Sequence, residues 1–260
     1  MTDIVTETNN GAALSVRNLV KQYANADRRV LDDVSFDVPK GRVLVVVGPS
    51  GSGKSSLLTA FALLNPHADG TFTLDGADSS SFSLQQWRRN VAYLPQKPML
   101  MGDSVADTIR LPWTLAVRRA DEASVPDDHA ATGKKTSARR GRFSRLFRSE
   151  QSQAKLALPD QLIRDTLDAM GCEDIDLARA PHDLSGGQAA RVSLARTLLT
   201  RPAVLLADEV DAGLDDDNAD KVASIMASAA AGGMAIVRIR HRPPDGRATR
   251  IVTLSSGRLS

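Results

Sequence analysis

The sequence predicts an α/β fold with a mainly parallel core sheet and a helical segment inserted into it. Three observations carry this. Strand and helix signals alternate through both the first and the last thirds of the chain. A short apolar, β-branched run at 42–47 leads directly into glycine-rich sequence and then a helix. Between about 103 and 182 the strand signals give way to helical ones.

The elements follow in order. Residues 13–47 read as strands: 34–38 alternates apolar and polar positions, Pro39-Lys40-Gly41 is a turn, and 42–47 fits a buried central strand. A helix is predicted over about 54–63, with further strands at 71–74 and 91–93. In the helical middle, 104–109 and 160–170 are helix candidates, the second opening after Pro159 and stopping at Gly171. A third helix is predicted over 187–199. Strand signals return at 203–207 and 234–239, with a helix at about 218–230 between them, and 251–254 with the turn Ser255-Ser256-Gly257 closes the chain.

Composition narrows the function classes. The 260 residues suffice for one large domain with a substantial core, and 42% hydrophobic with 25% charged is ordinary for a soluble globular protein. Lys+Arg is 33 against Asp+Glu 31, a net charge of +2, so global charge does not argue for nucleic-acid binding. Cys172 is the single cysteine, which excludes an internal disulfide and fits a reducing cytosol; its plain reading is a small helix-end residue. Residues 1–10 are polar and acidic, unlike a signal peptide, and no apolar run approaches the ~20 residues of a membrane span. A protein of this kind working at a membrane needs another chain to do the spanning.

Gly48-Pro49-Ser50-Gly51-Ser52-Gly53-Lys54-Ser55 matches G-x-x-x-x-G-K-[ST] and sits between an apolar strand and a helix, the context that distinguishes a P-loop from a chance Gly/Ser turn. Its glycines let successive N–H groups face phosphate oxygens, and the helix start adds a positive dipole end. Lys54 is expected to reach the β- and γ-phosphates and Ser55 to hold Mg²⁺. A dinucleotide-binding turn would need glycine at position 56, which is Ser56.

The strand 204–207 ends in Asp208-Glu209, delivering two carboxylates to the C-terminal edge of the sheet. Asp208 is the expected Mg²⁺ partner and Glu209 the expected general base for the water that attacks the γ-phosphate. Without the P-loop upstream, such a pair would read as a solvated strand end.

Leu184-Ser185-Gly186-Gly187-Gln188 places a serine and two glycines at the opening of a helix, a second anion site. Two such sites serve two phosphates in one chain, or one phosphate shared between two copies; spacing does not choose. The stretch, followed by Arg191 and Arg196, resembles the signature of ABC ATPases. The resemblance implies that the signature of one subunit covers the γ-phosphate held by the P-loop of another, and that residues 48–56 together with Ser185, Gly186, Gly187 and Gln188 bind ATP. The other family motifs stand in order. Tyr23 resembles the aromatic that stacks on adenine, and Gln96 the loop glutamine that senses Mg²⁺ and links to the membrane partner. Ala212-Gly213-Leu214-Asp215 resembles the dimer-contacting loop, and His241 the histidine that contacts the γ-phosphate. Singly, Tyr23, Gln96 and His241 would pass for a packing residue, a surface loop residue and a strand-end histidine. The resemblance covers about 13–259 apart from an insert. It implies a P-loop NTPase of the ABC type: one ABC ATPase domain over 1–260, with an N-terminal antiparallel β subdomain and a helical lobe at about 103–183.

The sequence departs from the family pattern at three places. Val210-Asp211 follows the acidic pair where Pro-Thr is usual, Gly213 stands where Ala is commoner, and Arg240 precedes His241 where Thr or Ser is usual. No catalytic group is removed, so the departures bear on turnover rate.

The resemblance implies an ATP-hydrolysing, cytoplasmic subunit, peripheral at the inner face of the cell membrane, that powers a separate transmembrane permease. It would close as a homodimer, or with a paralogous nucleotide-binding subunit, around two ATP molecules. One P-loop and no sustained heptads set the chain apart from ribosomal and DNA-repair relatives, although a soluble ATPase acting on a ribosomal or nucleic-acid complex is the competing class. The run 98–105 with Leu111-Pro112-Trp113 resembles the ATP-binding subunit of an iron-export ABC family, which implies an exporter; Trp113 also fits plain packing in the lobe. The insert at about 118–155 is rich in Ala, Ser, Arg and Lys and reads as a mobile loop. Within it, Phe143, Leu146 and Phe147 oppose Arg142, Arg145 and Arg148 on a helical projection, a pattern that can lie on anionic lipid; a solvated loop or a nucleic-acid contact are the other readings.

Overall fold

The computed structural model describes residues 12–22, 29–115 and 154–260. Tyr23 and all but the last two residues of the insert expected at 118–155 lie outside them. The chain divides into two compact units, Met1–Pro98 with Thr197–Ser260, and Met99–Arg196.

The first unit contains two sheets. β1 (Ala12–Gln22), β2 (Arg29–Pro39), β4 (Ala68–Leu74) and β5 (Ala77–Asp78) form an antiparallel sheet in the order β2-β1-β4-β5. The alternation in β2 buries Val34, Phe36 and Val38 on one face. The second sheet uses β3 (Val43–Val47), β6 (Val91–Leu94), β7 (Val204–Asp208), β8 (Ala235–Ile239), β9 (Arg250–Ser255) and β10 (Arg258–Leu259), in the order β10-β9-β3-β8-β7-β6. Its pairs are parallel except β9 with β10. β7 and β8 are buried at every position, as strands covered on both faces must be, and so read as apolar runs without alternation. The charged exceptions are Asp208, which ends β7, and Arg238, only 1% exposed in the middle of β8.

Helix α1 (Lys54–Phe61) follows β3 directly and buries Leu57, Leu58, Ala60 and Phe61. Helix α2 (Leu84–Asn90) was not among the elements expected from the sequence. Its signal is a short one: Ser83 Oγ accepts from Gln86 N at 3.2 Å while Gln86 Oε1 accepts from Ser83 N at 2.9 Å, a reciprocal cap. Trp87 anchors the helix, fully buried, with Nε1 donating to Phe61 O at 3.0 Å. An amphipathic stripe is hard to read over seven residues, and most of the burial rests on that tryptophan.

The second unit spans Met99–Arg196, against a lobe expected at about 103–183. It contains α3 (Val105–Arg110), α4 (Asp160–Ala169) and most of α5 (Gly186–Leu199), with 3₁₀ turns at Leu111–Thr114, which includes Trp113, and at Pro181–Asp183. Ser104 caps α3 by accepting from Asp107 N at 3.1 Å. The N–H groups of Val105 and Ala106 are satisfied by Arg179 O at 2.9 Å and Leu177 O at 3.0 Å. In α4, Ile163 and Leu167 face inward, and Arg164 donates to Cys172 O at 2.9 Å, closing the segment past the helix end. The last helix, α6 (Asp216–Ala231) in the first unit, is capped by Asp215, which accepts from Asn218 N at 2.8 Å. Among the described residues no helix is long and apolar enough to cross a membrane.

Candidate active site

The phosphate-binding loop forms because β3 ends in the apolar core and the chain must turn into α1 within a few residues. Gly48 passes close beside β9: a Cβ there would lie 2.2 Å from Leu254 O, so no other residue fits. Lys54 is the first residue of α1 and is 6% exposed; its Nζ donates to Gly48 O at 2.9 Å and to Pro49 O at 3.0 Å, folded over its own loop. Ser52 Oγ is buried with no hydrogen-bond partner, an orphaned hydroxyl within the loop. Ser56 Oγ accepts from Nζ of Lys21, a buried cation on β1 that the sequence reading did not single out.

Residues 50–56 line a cleft of about 460 Å³ together with Glu209, His241, Arg29, Val30, Ser256 and Gly257. Glu209 stands immediately past β7 with a left-handed backbone, φ 51°, unusual for a residue with a side chain. A turn from Ala212 N to Glu209 O at 3.0 Å closes it. Both carboxylate oxygens of Glu209 are engaged: Oε1 lies 2.7 Å from His241 Nε2, and Oε2 accepts from Gln96 Nε2 at 2.8 Å. Each oxygen keeps a lone pair for a further donor such as water. His241 is half exposed, at 51%, while the Glu209 side chain is 20% exposed, so the pair sits at the wall of the cleft.

Asp208, the last residue of β7, is 4% exposed and accepts from Tyr93 Oη at 2.9 Å. Burial, with the Asp208 charge beside it, raises the Tyr93 pKa above its ordinary 10.0, so the phenol stays a donor. Tyr93, at the end of the strand expected at 91–93, is a site residue that no sequence motif marks; pairing of β6 with β7 puts Tyr93 opposite Leu206 and so within reach of Asp208.

The first unit thus brings Lys54, Ser55, Glu209 and His241 to one cleft, with Gln96 bonded to Glu209. Ser185, Gly186, Gly187 and Gln188 belong to the second unit. There Ser185 Oγ accepts from Gln188 N at 3.2 Å and Gln188 Oε1 accepts from Ser185 N at 3.0 Å, a reciprocal cap at the start of α5. Gln188 Nε2 also donates to Asp174 Oδ2 at 2.7 Å, which fixes the turn. Past Ala212, Gly213 has φ 75°, a conformation that alanine would adopt only under strain.

Residues 31–212 match the family described as ABC transporter. The chain is 31% identical over 264 residues to the lipoprotein-releasing system ATP-binding protein LolD of Bordetella avium, covering 98% of this chain and 99% of that protein. It is 30% identical over 213 residues to the probable iron export ATP-binding protein FetA of Escherichia coli, covering 82% of this chain and 77% of that one. It spans 36% and 48% of the length of two further curated relatives. The dimeric structure of MJ0796, a bacterial ABC transporter cassette, superposes with a TM-score of 0.70 at 21% identity over 95% of this chain and 96% of that one, which bears on the fold.

Proposed function

The chain belongs to the ABC transporter family and is an ATPase of that type, and from this premise we propose that it is the ATP-binding subunit that powers a separate transmembrane permease. The observation that carries the reading is the contact of Glu209 with His241 at 2.7 Å and with Gln96 at 2.8 Å, at a cleft lined by the phosphate loop.

In this reading the loop N–H groups and Lys54 bind the β- and γ-phosphates, for which Nζ of Lys54 leaves the carbonyls of Gly48 and Pro49. The orphaned Ser52 hydroxyl finds its partner in a phosphate oxygen. Arg29, Val30 and Gly257, at the cleft, flank the nucleoside end. Glu209 accepts a proton from the attacking water, and His241 orients Glu209 and meets the γ-phosphate. A base so placed is worth about 10²–10⁴-fold in rate.

The donors available for Mg²⁺ fit that ion: the Ser55 hydroxyl and the Asp208 carboxylate are hard oxygens, and among the described residues there is no cluster of three His, Cys, Asp or Glu side chains of the kind a softer or more fully caged metal takes. Ser55 and Asp208 would hold it, with Gln96 beside them, and it would supply charge neutralisation between the β- and γ-phosphates. Tyr93 keeps Asp208 oriented for that task.

Two copies, or one copy and a paralogue, would close head-to-tail so that Ser185 to Gln188 of one cover the γ-phosphate on the other. The α5 N-terminus, capped and pre-ordered, suits that role. Export of a metal ion is the finer reading, supported by the similarity to the iron export protein.

Affinity purification of tagged Glu209→Gln protein from detergent-solubilised cells with ATP and Mg²⁺ tests the reading. A multi-spanning membrane protein recovered in stoichiometric amount is the expected result, and its identity gives the route to the cargo. Recovery of ribosomes or nucleic acid in its place would overturn the transporter assignment and leave the ATPase.

A further inference from the structure

We propose that Asp211, Arg238, Arg240 and Asp245 form a buried charge clamp that positions Glu209 against His241, with Asp211 and Arg240 as its positioning residues. The proposal rests on Glu209 and His241 being the hydrolytic pair.

The four side chains are 1–9% exposed and carry two positive and two negative charges. Arg238 donates to Asp211 Oδ2 at 3.0 Å and to Asp245 Oδ2 at 3.0 Å. Arg240 Nε lies 3.0 Å from the same oxygen of Asp211, and Arg240 also pairs with Asp245. Nε and Nη1 of Arg240 are buried and make no aligned hydrogen bond, so Arg240 is held by charge and not by directed donors. A neutral polar residue in its place loses that attraction.

The placement gives the clamp its use. The last rung of the β7–β8 ladder pairs Asp208 with Ile239. Glu209 and His241 both lie beyond it, where sheet hydrogen bonds no longer hold the two segments together. Asp211 is two residues after Glu209, Arg240 one before His241, and Asp245 four after it. The clamp therefore ties the segments at the point where the ladder ends and the 2.7 Å contact must be kept. It also accounts for the left-handed backbone of Glu209, since such a conformation persists only where surrounding structure over-determines it. Asp211 and Arg240 are two of the positions at which the sequence parts from the pattern it resembles, and they are partners in one ion pair.

The test compares full-length wild type, the double variant Asp211→Asn/Arg240→Gln and the single variant Arg240→Lys. Each is measured for melting temperature, fluorescent ATP-analogue affinity and kcat. The double variant keeps the charge balance, with Arg238 and Asp245 still paired, at the cost of a shorter side chain at position 240. It is expected to melt like wild type and bind the analogue within about twofold, with kcat reduced by about 10- to 100-fold, the scale of a misplaced catalytic group. Arg240→Lys retains the charge and should retain most of kcat. A double variant with wild-type kcat, or one that loses affinity and kcat in parallel, overturns the clamp. If the double variant does not fold, Asp211→Asn/Arg240→Met, also charge-balanced and closer to the volume of the arginine, is read by the same criteria. A wild type that neither binds nor hydrolyses ATP would instead overturn the ATPase reading itself, which separates the two failures.

Discussion

His241 Nε2 lies 2.7 Å from Glu209 Oε1, across the gap between the ends of two neighbouring parallel strands. The residues are 32 apart in sequence, and each sits past the last paired rung of its strand. Replacing His241 by Ala should weaken ATP binding by no more than about tenfold, the loss of one γ-phosphate contact while the phosphate loop is untouched, and lower kcat by about 10²-fold through loss of the partner that orients the base. Steady-state ATPase assays alongside nucleotide-affinity measurements check this; parallel loss of both would place His241 in binding and not in the chemistry.

Tyr93→Phe removes the 2.9 Å bond to Asp208, a carboxylate 4% exposed. A buried acceptor deprived of its donor costs about 1–3 kcal/mol. Urea unfolding without nucleotide should show a loss of that size. The deficit should grow with Mg²⁺ and ATP, because an Asp208 no longer oriented by the phenol holds the cation less well and the variant gains less from the ligand. An equal deficit under both conditions would separate Asp208 from the metal.

Asp245 predicts an acid-sensitive contribution to stability. Burial works against its ionisation, but the Arg247 N–H and the guanidiniums of Arg238 and Arg240 outweigh it and hold the carboxyl below its ordinary 3.8. A pKa depressed in the folded state gives stability that is fully present well above 3.8 and is lost as pH falls below that value toward the folded pKa. Asp245→Asn should therefore be less stable than wild type at neutral pH, with the difference narrowing below about pH 4. Denaturant midpoints measured from pH 6 down to pH 3 check the sign; a constant difference would contradict it.

Cys172 is fully buried, and burial pushes its thiol up to about 11. At pH 7.5, well below that value, the thiolate is a small minority and sheltered, so a thiol reagent should label the folded protein at a small fraction of the rate seen in denaturant. Fast labelling of the native state would mean that the segment after α4 opens readily.

Much of the fold was legible because its signals are local. The strands β7 and β8, buried throughout, and β3, buried but for its last residue, read as apolar runs, and the P-loop reads as a strand, a glycine turn and a lysine at a helix start. Helix α2 escaped notice because seven residues give no usable periodicity; only the Ser83/Gln86 cap marked it. Tyr93 is not legible as a partner of Asp208, since strand pairing, and not spacing, puts them together.

The residue types needed to hold a phosphate and to activate water, and their order along the chain, were determined by the sequence alone, because a P-loop, an acidic strand end and a glycine-opened helix are each built within a dozen residues. What only the tertiary structure decided is which distant groups meet. Glu209 takes both Gln96 and His241, and Lys21 reaches Ser56. Arg238, out of place in an apolar strand, is neutralised by Asp211 and Asp245. Such pairings depend on strand order and register, which bring residues separated by tens of positions within 3 Å and exclude the water that would otherwise satisfy their charge.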